Sequence, residues 1–156
     1  MGEVSEENVR APKKMRQYEI RWANLPLPIG RRPVLLLTRT SAYAYLNKVI
    51  VAEITSTIRQ IPQEVQLGRK EGLAQLSVAN MDNIHVIAKS LLGDRIGMVA
   101  PGREVEIKRA LGYALDWPEL KIRLRSPTTR LGLYSTPTTG SMQSKRFRNS
   151  TSGSGT

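Results

Sequence analysis

Apolar residues along this chain fall in short blocks, and the pattern inside each block differs. YEIRWANL (18–25) partly alternates and is rich in β-forming residues. RPVLLLTR (32–39) is a short apolar run opened by Pro33, a residue that fits the first position of a strand. KVIVAEIT (48–55) is β-branched and suits a central strand. EVQL (64–67), QLSVAN (75–80) and DRIGMVA (94–100) are further short strands. Pro26, Pro28, Gly30, Pro62, Gly68, Gly72 and Gly93 punctuate them. The pattern then changes period. In PGREVEIKRALGYAL (101–115), Ile107, Leu111, Ala114 and Leu115 recur on one helical face, with Pro101 near the start and Pro118 beyond the end. Many short strands at close spacing argue a small barrel or sandwich, and the single helix after them points to a mainly β fold, a small β-barrel carrying a C-terminal helix.

The flanks lack this patterning. Residues 1–15, MGEVSEENVRAPKKM, read as a flexible leader. Residues 122–156 are rich in Ser, Thr and Gly and cannot bury enough apolar surface to offset chain entropy, so they read as a disordered tail. The folded domain is expected over 16–121. The chain of 156 residues suits one such domain with tails.

Charge adds a partner to this picture. The net charge is +11, a balance that suggests a polyanion, most often nucleic acid. Seven Lys and Arg residues follow Glu119 with no acid among them, which leaves +4 for residues 1–120. The tail carries most of the excess. The chain has no cysteine, which excludes disulfides, thiolate nucleophiles and Cys-ligated zinc. Its one histidine, His85, excludes a two-histidine nuclease site or a His-based metal centre. No cofactor is expected. The first sixteen residues show no apolar signal-peptide core, and no apolar stretch approaches the eighteen or so residues of a membrane span, so a cytoplasmic protein without a membrane partner is expected.

GRRPVLLL (30–37) poses the chemical question, because Arg31 and Arg32 stand directly before the apolar run. Taken alone, they are turn arginines beside a proline; as a pair, they are also a phosphate grip. Four segments in order carry a resemblance: RPVLLL, VIVAEITS, LSVANMDNIHVI and KSLLGDRIGMVAP, the last running into the helix. Together, over about 17–116, they resemble the MazF/PemK family of toxin endoribonucleases. The resemblance implies an SH3-like barrel that pairs as a homodimer, metal-free cleavage of single-stranded RNA, and a cognate antitoxin protein as partner.

Residue by residue, the resemblance implies the following. Arg32 matches the family's catalytic arginine; a guanidinium, which keeps its proton in proteins, suits a fixed, forked phosphate clamp better than proton transfer. Thr55 and Ser56 match the Thr-Ser that ends the third strand, with hydroxyls for a phosphoryl oxygen and the ribose 2′-hydroxyl. Asp82 matches the family's aspartate, placed to accept a proton or to position Arg32. Asn83 matches a glutamine, and His85 stands where the family usually has arginine; both are candidate RNA contacts, as is Arg31. Trp22 offers a ring for base stacking. Each also has a plain structural reading: strand-end hydroxyls, an acid in a turn between strands, a surface histidine, a core tryptophan.

Two departures from the family stand out. Tyr18 precedes the acid of the first strand where the family usually has glycine, and the loop NLPLPIG is short and apolar where the family's is longer and glycine-rich. Two further classes stay open: a gyrase-poisoning toxin sharing the barrel, although this helix ends in YALDW rather than Trp-Gly-Ile, and a non-catalytic RNA- or antitoxin-binding module.

Overall fold

The computed structural model describes residues 14–121. Six strands run β1 (Glu19–Asn24), β2 (Arg31–Leu36), β3 (Lys48–Thr55), β4 (Glu64–Leu67), β5 (Ser77–Ala88) and β6 (Leu92–Met98), followed by α1 (Glu104–Ala114) and the short α2 (Pro118–Lys121). The expected tail, and the expected leader except for Lys14 and Met15, lie outside the described residues. Every expected strand is present. The largest difference is β5, which the sequence pattern reads as a short strand ending near Asn80 but which runs on to Ala88, twelve residues in all.

All pairings are antiparallel, in the order β4-β5-β3-β2-β1-β6. The runs in β2 and β3 do not alternate because both of their faces are buried. On one face, Leu35, Ala52 and Ile54 join Ile20, Val65, Leu67 and Ala79 in a core closed by Ile107 and Ala110 of α1. On the other, Val34, Leu36, Val49 and Val51 pack with Ile87, Ala23, Leu25 and Tyr43. Neighbouring residues of one strand thus serve opposite cores, as the pleat requires. Within α1, Ile107 and Ala110 are buried and Leu111 and Ala114 pack partly against the core. Leu115, expected on this face, is 45% exposed because the helix ends at Ala114. Asp116 turns the chain at φ 52 and the Trp117 amide bonds Gly112 O at 2.8 Å, so Pro118 lies beyond the end of α1, as expected, and there starts α2. Among the described residues, no helix is long and apolar enough to cross a membrane.

The sheet is not closed into a barrel by hydrogen bonds, since β4 and β6 are its two ends. A turn after β4, Arg69–Glu71, bridges them by packing on β6. The approach is so close that a Cβ at Gly97 would lie 1.8 Å from Glu71 O. Glu71, 4% exposed, holds the turn in place: it accepts the Gly68 amide at 2.7 Å and pairs with Arg103 Nη1 at 2.5 Å, while Arg103 Nη2 donates to Gln66 O at 2.7 Å. Gly97→Ala is therefore expected to destabilise the fold by about 3 kcal/mol, the upper end for overpacking, because backbone rather than a flexible side chain must move. Urea unfolding is the check; an unchanged midpoint would mean the turn does not seal the sheet.

Candidate active site

The β1–β2 connection places the two arginines. Gly30 adopts φ 71, a left-handed conformation that glycine takes without strain, and the Leu25 amide bonds Gly30 O at 3.2 Å. The chain turns back and β2 begins at Arg31. Arg31 is exposed, and its guanidinium stacks 4.4 Å from the centre of the half-buried Trp22 ring. Arg32, paired across the ladder with Ala23, reaches instead toward β3.

What it meets there is Glu53, the one charged residue inside the apolar run of β3 and 7% exposed. Arg32 Nη1 donates to Glu53 Oε2 at 2.7 Å, and Arg32 Nη2 donates to Ile29 O at 2.9 Å. His85 Nε2 lies in hydrogen-bonding contact with the second carboxylate oxygen, Oε1. A carboxylate this buried is stable only when its oxygens are partnered, and β2 and β5 supply one partner each. The guanidinium is thus fixed at two points. Further N–H donors remain unused, and Nε is buried without any partner.

Arg32 lines a cleft of about 580 Å³ at the end of the first core, together with Trp22, Thr55 and Ser56. The far wall is the 72–75 segment, held by the Glu71 turn, and Arg95 of β6 stands at one side. Thr55 Oγ1 accepts the Thr57 amide at 3.1 Å, so its own O–H proton is left to donate. Ser56 is exposed at the mouth. The cleft thus presents a guanidinium and two hydroxyls, a donor set suited to a phosphodiester.

Four of the expected residues, Trp22, Arg32, Thr55 and Ser56, come together here. Arg31 joins them at the rim through Trp22, and His85 through Glu53. Asp82 and Asn83 do not join the cleft lining. Asp82 is not in a turn between strands but within β5, at an irregularity where Glu53 pairs with Asn80 and the next β3 residue, Ala52, pairs with Ile84. Residues 81–83 are left without β3 partners; Asp82 and Asn83 are solvent-exposed, and the Asp82 amide bonds Asn80 Oδ1 at 2.9 Å. Glu53 and Arg95 were missed as site residues. Glu53 carried a signal, a single charge inside a β-branched central strand, since such residues are almost never buried unless paired. Among the described residues, no group of three or more His, Asp or Glu side chains is placed to hold a metal ion.

A six-stranded β sheet sealed by a turn carries a basic, hydroxyl-lined cleft at one end. The family model for the PemK-like, MazF-like toxin of type II toxin–antitoxin systems matches residues 16–115, and the chain belongs to that family. It is similar to the endoribonuclease MazF3 of Mycobacterium tuberculosis strain H37Rv, 41% identical over 88 residues that cover 55% of this chain and 85% of the relative. It is also similar to the probable endoribonuclease MazF5 of the same strain, 34% identical over 99 residues, 63% of this chain and 90% of the relative. Among solved structures, the Mycobacterium tuberculosis toxin MazF-mt6 superposes with a TM-score of 0.60 at 38% identity, covering 63% of this chain and 96% of that one. An endoribonuclease in complex with its cognate antitoxin from a mycobacterial species superposes at 0.58 and 29% identity, covering 67% and 97%.

Proposed function

We propose that this chain is the toxin of a type II toxin–antitoxin system, an endoribonuclease that cuts single-stranded RNA without a metal ion, acts as a homodimer in the cytoplasm and is held inactive by a cognate antitoxin. The observation that carries the reading is the fixed Arg32 guanidinium in a cleft shared with the Thr55 and Ser56 hydroxyls. In the reaction, the ribose 2′-oxygen bonds to the adjacent phosphorus as the bond from phosphorus to the 5′-oxygen breaks. The 2′-hydroxyl proton passes to solvent water in the open cleft, and water returns a proton to the departing 5′-oxygen. The products are a 2′,3′-cyclic phosphate and a 5′-hydroxyl end. Charge grows on the non-bridging phosphoryl oxygens, and donors held in place before reaction stabilise it most. Arg32, Thr55 and Ser56 are those donors. Trp22, with Arg31 stacked on it, takes a flanking base. Glu53 and His85 position Arg32 and touch no substrate. Asp82 and Asn83 are exposed and are not among the residues that line the cleft.

The test is incubation of the purified protein with end-labelled single-stranded RNA in EDTA, with DNA gyrase as a parallel target. Discrete fragments bearing 5′-hydroxyl ends, with gyrase supercoiling unaffected, are expected. Intact RNA would reduce the chain to a binding module, and inhibited gyrase would move it to the gyrase-poisoning class.

Glu53 gives a separate expectation. Glu53→Gln keeps the shape but removes the charge from the bond that fixes Arg32. A charge-assisted hydrogen bond is worth about 1.5–3 kcal/mol, so kcat should fall by about ten- to a hundredfold. KM should change little, because Glu53 does not touch RNA. A variant with unchanged kcat would show that Arg32 needs no orienting partner.

A further inference from the structure

A second basic site lies outside the cleft, on the face of β1 opposite Ile20 and Trp22. Lys14, Arg16, Arg21 and Arg95 line a hollow of about 570 Å³ with a single acid, Glu19. Four cations against one carboxylate leave a net charge of +3. Glu19 and Arg21 are each 4% exposed and pair with each other, Arg21 Nε donating to Glu19 Oε2 at 2.9 Å, while Arg21 Nη1 donates to Gly93 O at 3.1 Å. The Arg95 Nε stands 3.7 Å from the other Glu19 oxygen. The carboxylate is therefore taken up by Arg21 and in part by Arg95, and among the described residues neither Lys14 nor Arg16 has an ion-pair partner.

Stability does not account for this cluster. A buried Arg–Glu pair is weak evidence for stability, and apolar residues on this face of β1 would serve at least as well. The cluster instead gives a rigid floor, Arg21 on Glu19, beneath three cations that retain charge for an external anion. Its position names that anion. Arg95, on the edge strand β6, lines both the hollow and the cleft that holds Arg32, so one residue at the edge of the sheet borders the two. A ligand lying across both must carry negative charges spaced along a flexible chain, which is the chemistry of a single-stranded nucleic acid backbone.

We propose that the Lys14–Arg16–Arg95 hollow is a second phosphate subsite, gripping a backbone phosphate of the same RNA strand to one side of the scissile one. This rests on the reading of the cleft as an RNA-cleaving site. The subsite acts on strand binding and takes no part in bond breaking.

The test compares the full-length protein with its Lys14→Ala/Arg16→Ala variant. Both side chains are exposed, and the described structural bond at these residues is from the Glu19 amide to Arg16 O, which alanine keeps. Binding of fluorescent, fully 2′-O-methylated single-stranded RNA, which has no free 2′-hydroxyl, is followed by anisotropy across a salt series. The variant is expected to bind more weakly, with the slope of log Kd against log salt smaller by about 0.7, the single-strand value for one phosphate contact. Its melting temperature should match the wild type. Equal affinity and slope in the two proteins overturn the subsite. So does unchanged RNA binding accompanied by lost affinity for a poly-glutamate peptide, which would assign the hollow to an acidic protein. A wild-type protein that cleaves unmodified RNA keeps the reading of the cleft whichever way the subsite falls; a wild type that neither binds nor cleaves RNA removes that reading and the subsite with it.

Discussion

Arg32→Lys is expected to lower the rate of RNA cleavage by about 10²–10³-fold, the usual loss when one fixed donor to a developing oxyanion is removed. The substitution keeps a positive charge but not the fork. In the native cleft the guanidinium donates to Glu53 at 2.7 Å and to Ile29 O at 2.9 Å and still has N–H groups left for a phosphate. An ammonium is a point charge on a flexible stem, and one that swings to the phosphate leaves Glu53. The lysine variant is more informative than alanine. It leaves a cation beside the buried Glu53 carboxylate, so the melting temperature should stay close to the wild type, whereas Arg32→Ala mixes lost catalysis with the cost of a half-partnered buried acid. Single-turnover cleavage and thermal melting are the measurements. A lysine variant that cleaves at close to the native rate would show that the site needs only charge, and the fixed geometry at Glu53 and Ile29 would lose its meaning.

The sequence made β3 plain, because an unbroken β-branched run ends at a Thr-Ser pair, and the strand stops at Thr55. It made the position of α1 plain through its change of period. It did not make β5 plain, because Met-Asp-Asn at 81–83 interrupts the apolar pattern and reads as a turn; in the structure the strand continues through an irregularity that pushes these residues outward. The sealing of the sheet was also hidden. It depends on Gly97 meeting the backbone of Glu71, two residues far apart in sequence with nothing in their local patterns to join them. Tyr18 is a related case. Its φ of 68 explains why a glycine would suit the position, and the tyrosine is held there by the bonds from its amide to Leu36 O at 2.8 Å and from the Val99 amide to its carbonyl at 3.0 Å, with its ring packed on the core.

The cleft shows the same division. Arg32, Thr55 and Ser56 were legible because they sit in short recognisable segments. Glu53 was visible as an odd charge, but its role needs the register: β3 must lie between β2 and β5 for one carboxylate to meet Arg32 on one side and His85 on the other. His85 therefore has a partner that its place in the sequence does not suggest. Asp82, which the resemblance put among the catalytic candidates, stands exposed outside the cleft lining, and the carboxylate that Arg32 meets is that of Glu53.

The largest effect should come from the substrate. An RNA with a single 2′-deoxy nucleotide immediately 5′ of the cut is expected to resist cleavage completely, while deoxy substitution on the 3′ side should leave cleavage intact. The cleft holds a guanidinium and two hydroxyls, donors of a kind suited to a phosphodiester and to charge on its oxygens. In this scheme the attacking atom is the substrate's own 2′-oxygen, already bound next to the phosphorus and aligned by the strand itself, which removes the cost of bringing in a second reactant. Take that oxygen away and the donors still hold the phosphate, but nothing attacks it. The deoxy strand should therefore act as a competitive inhibitor with an affinity close to that of RNA, and EDTA should leave cleavage of the unmodified strand unchanged, since the stabilising charge is Arg32's own. Cutting of the deoxy-substituted strand at the same position, or cleavage that stops in EDTA and returns with Mg²⁺, would mean that another nucleophile does the work and that the Arg32 cleft is not where the bond breaks.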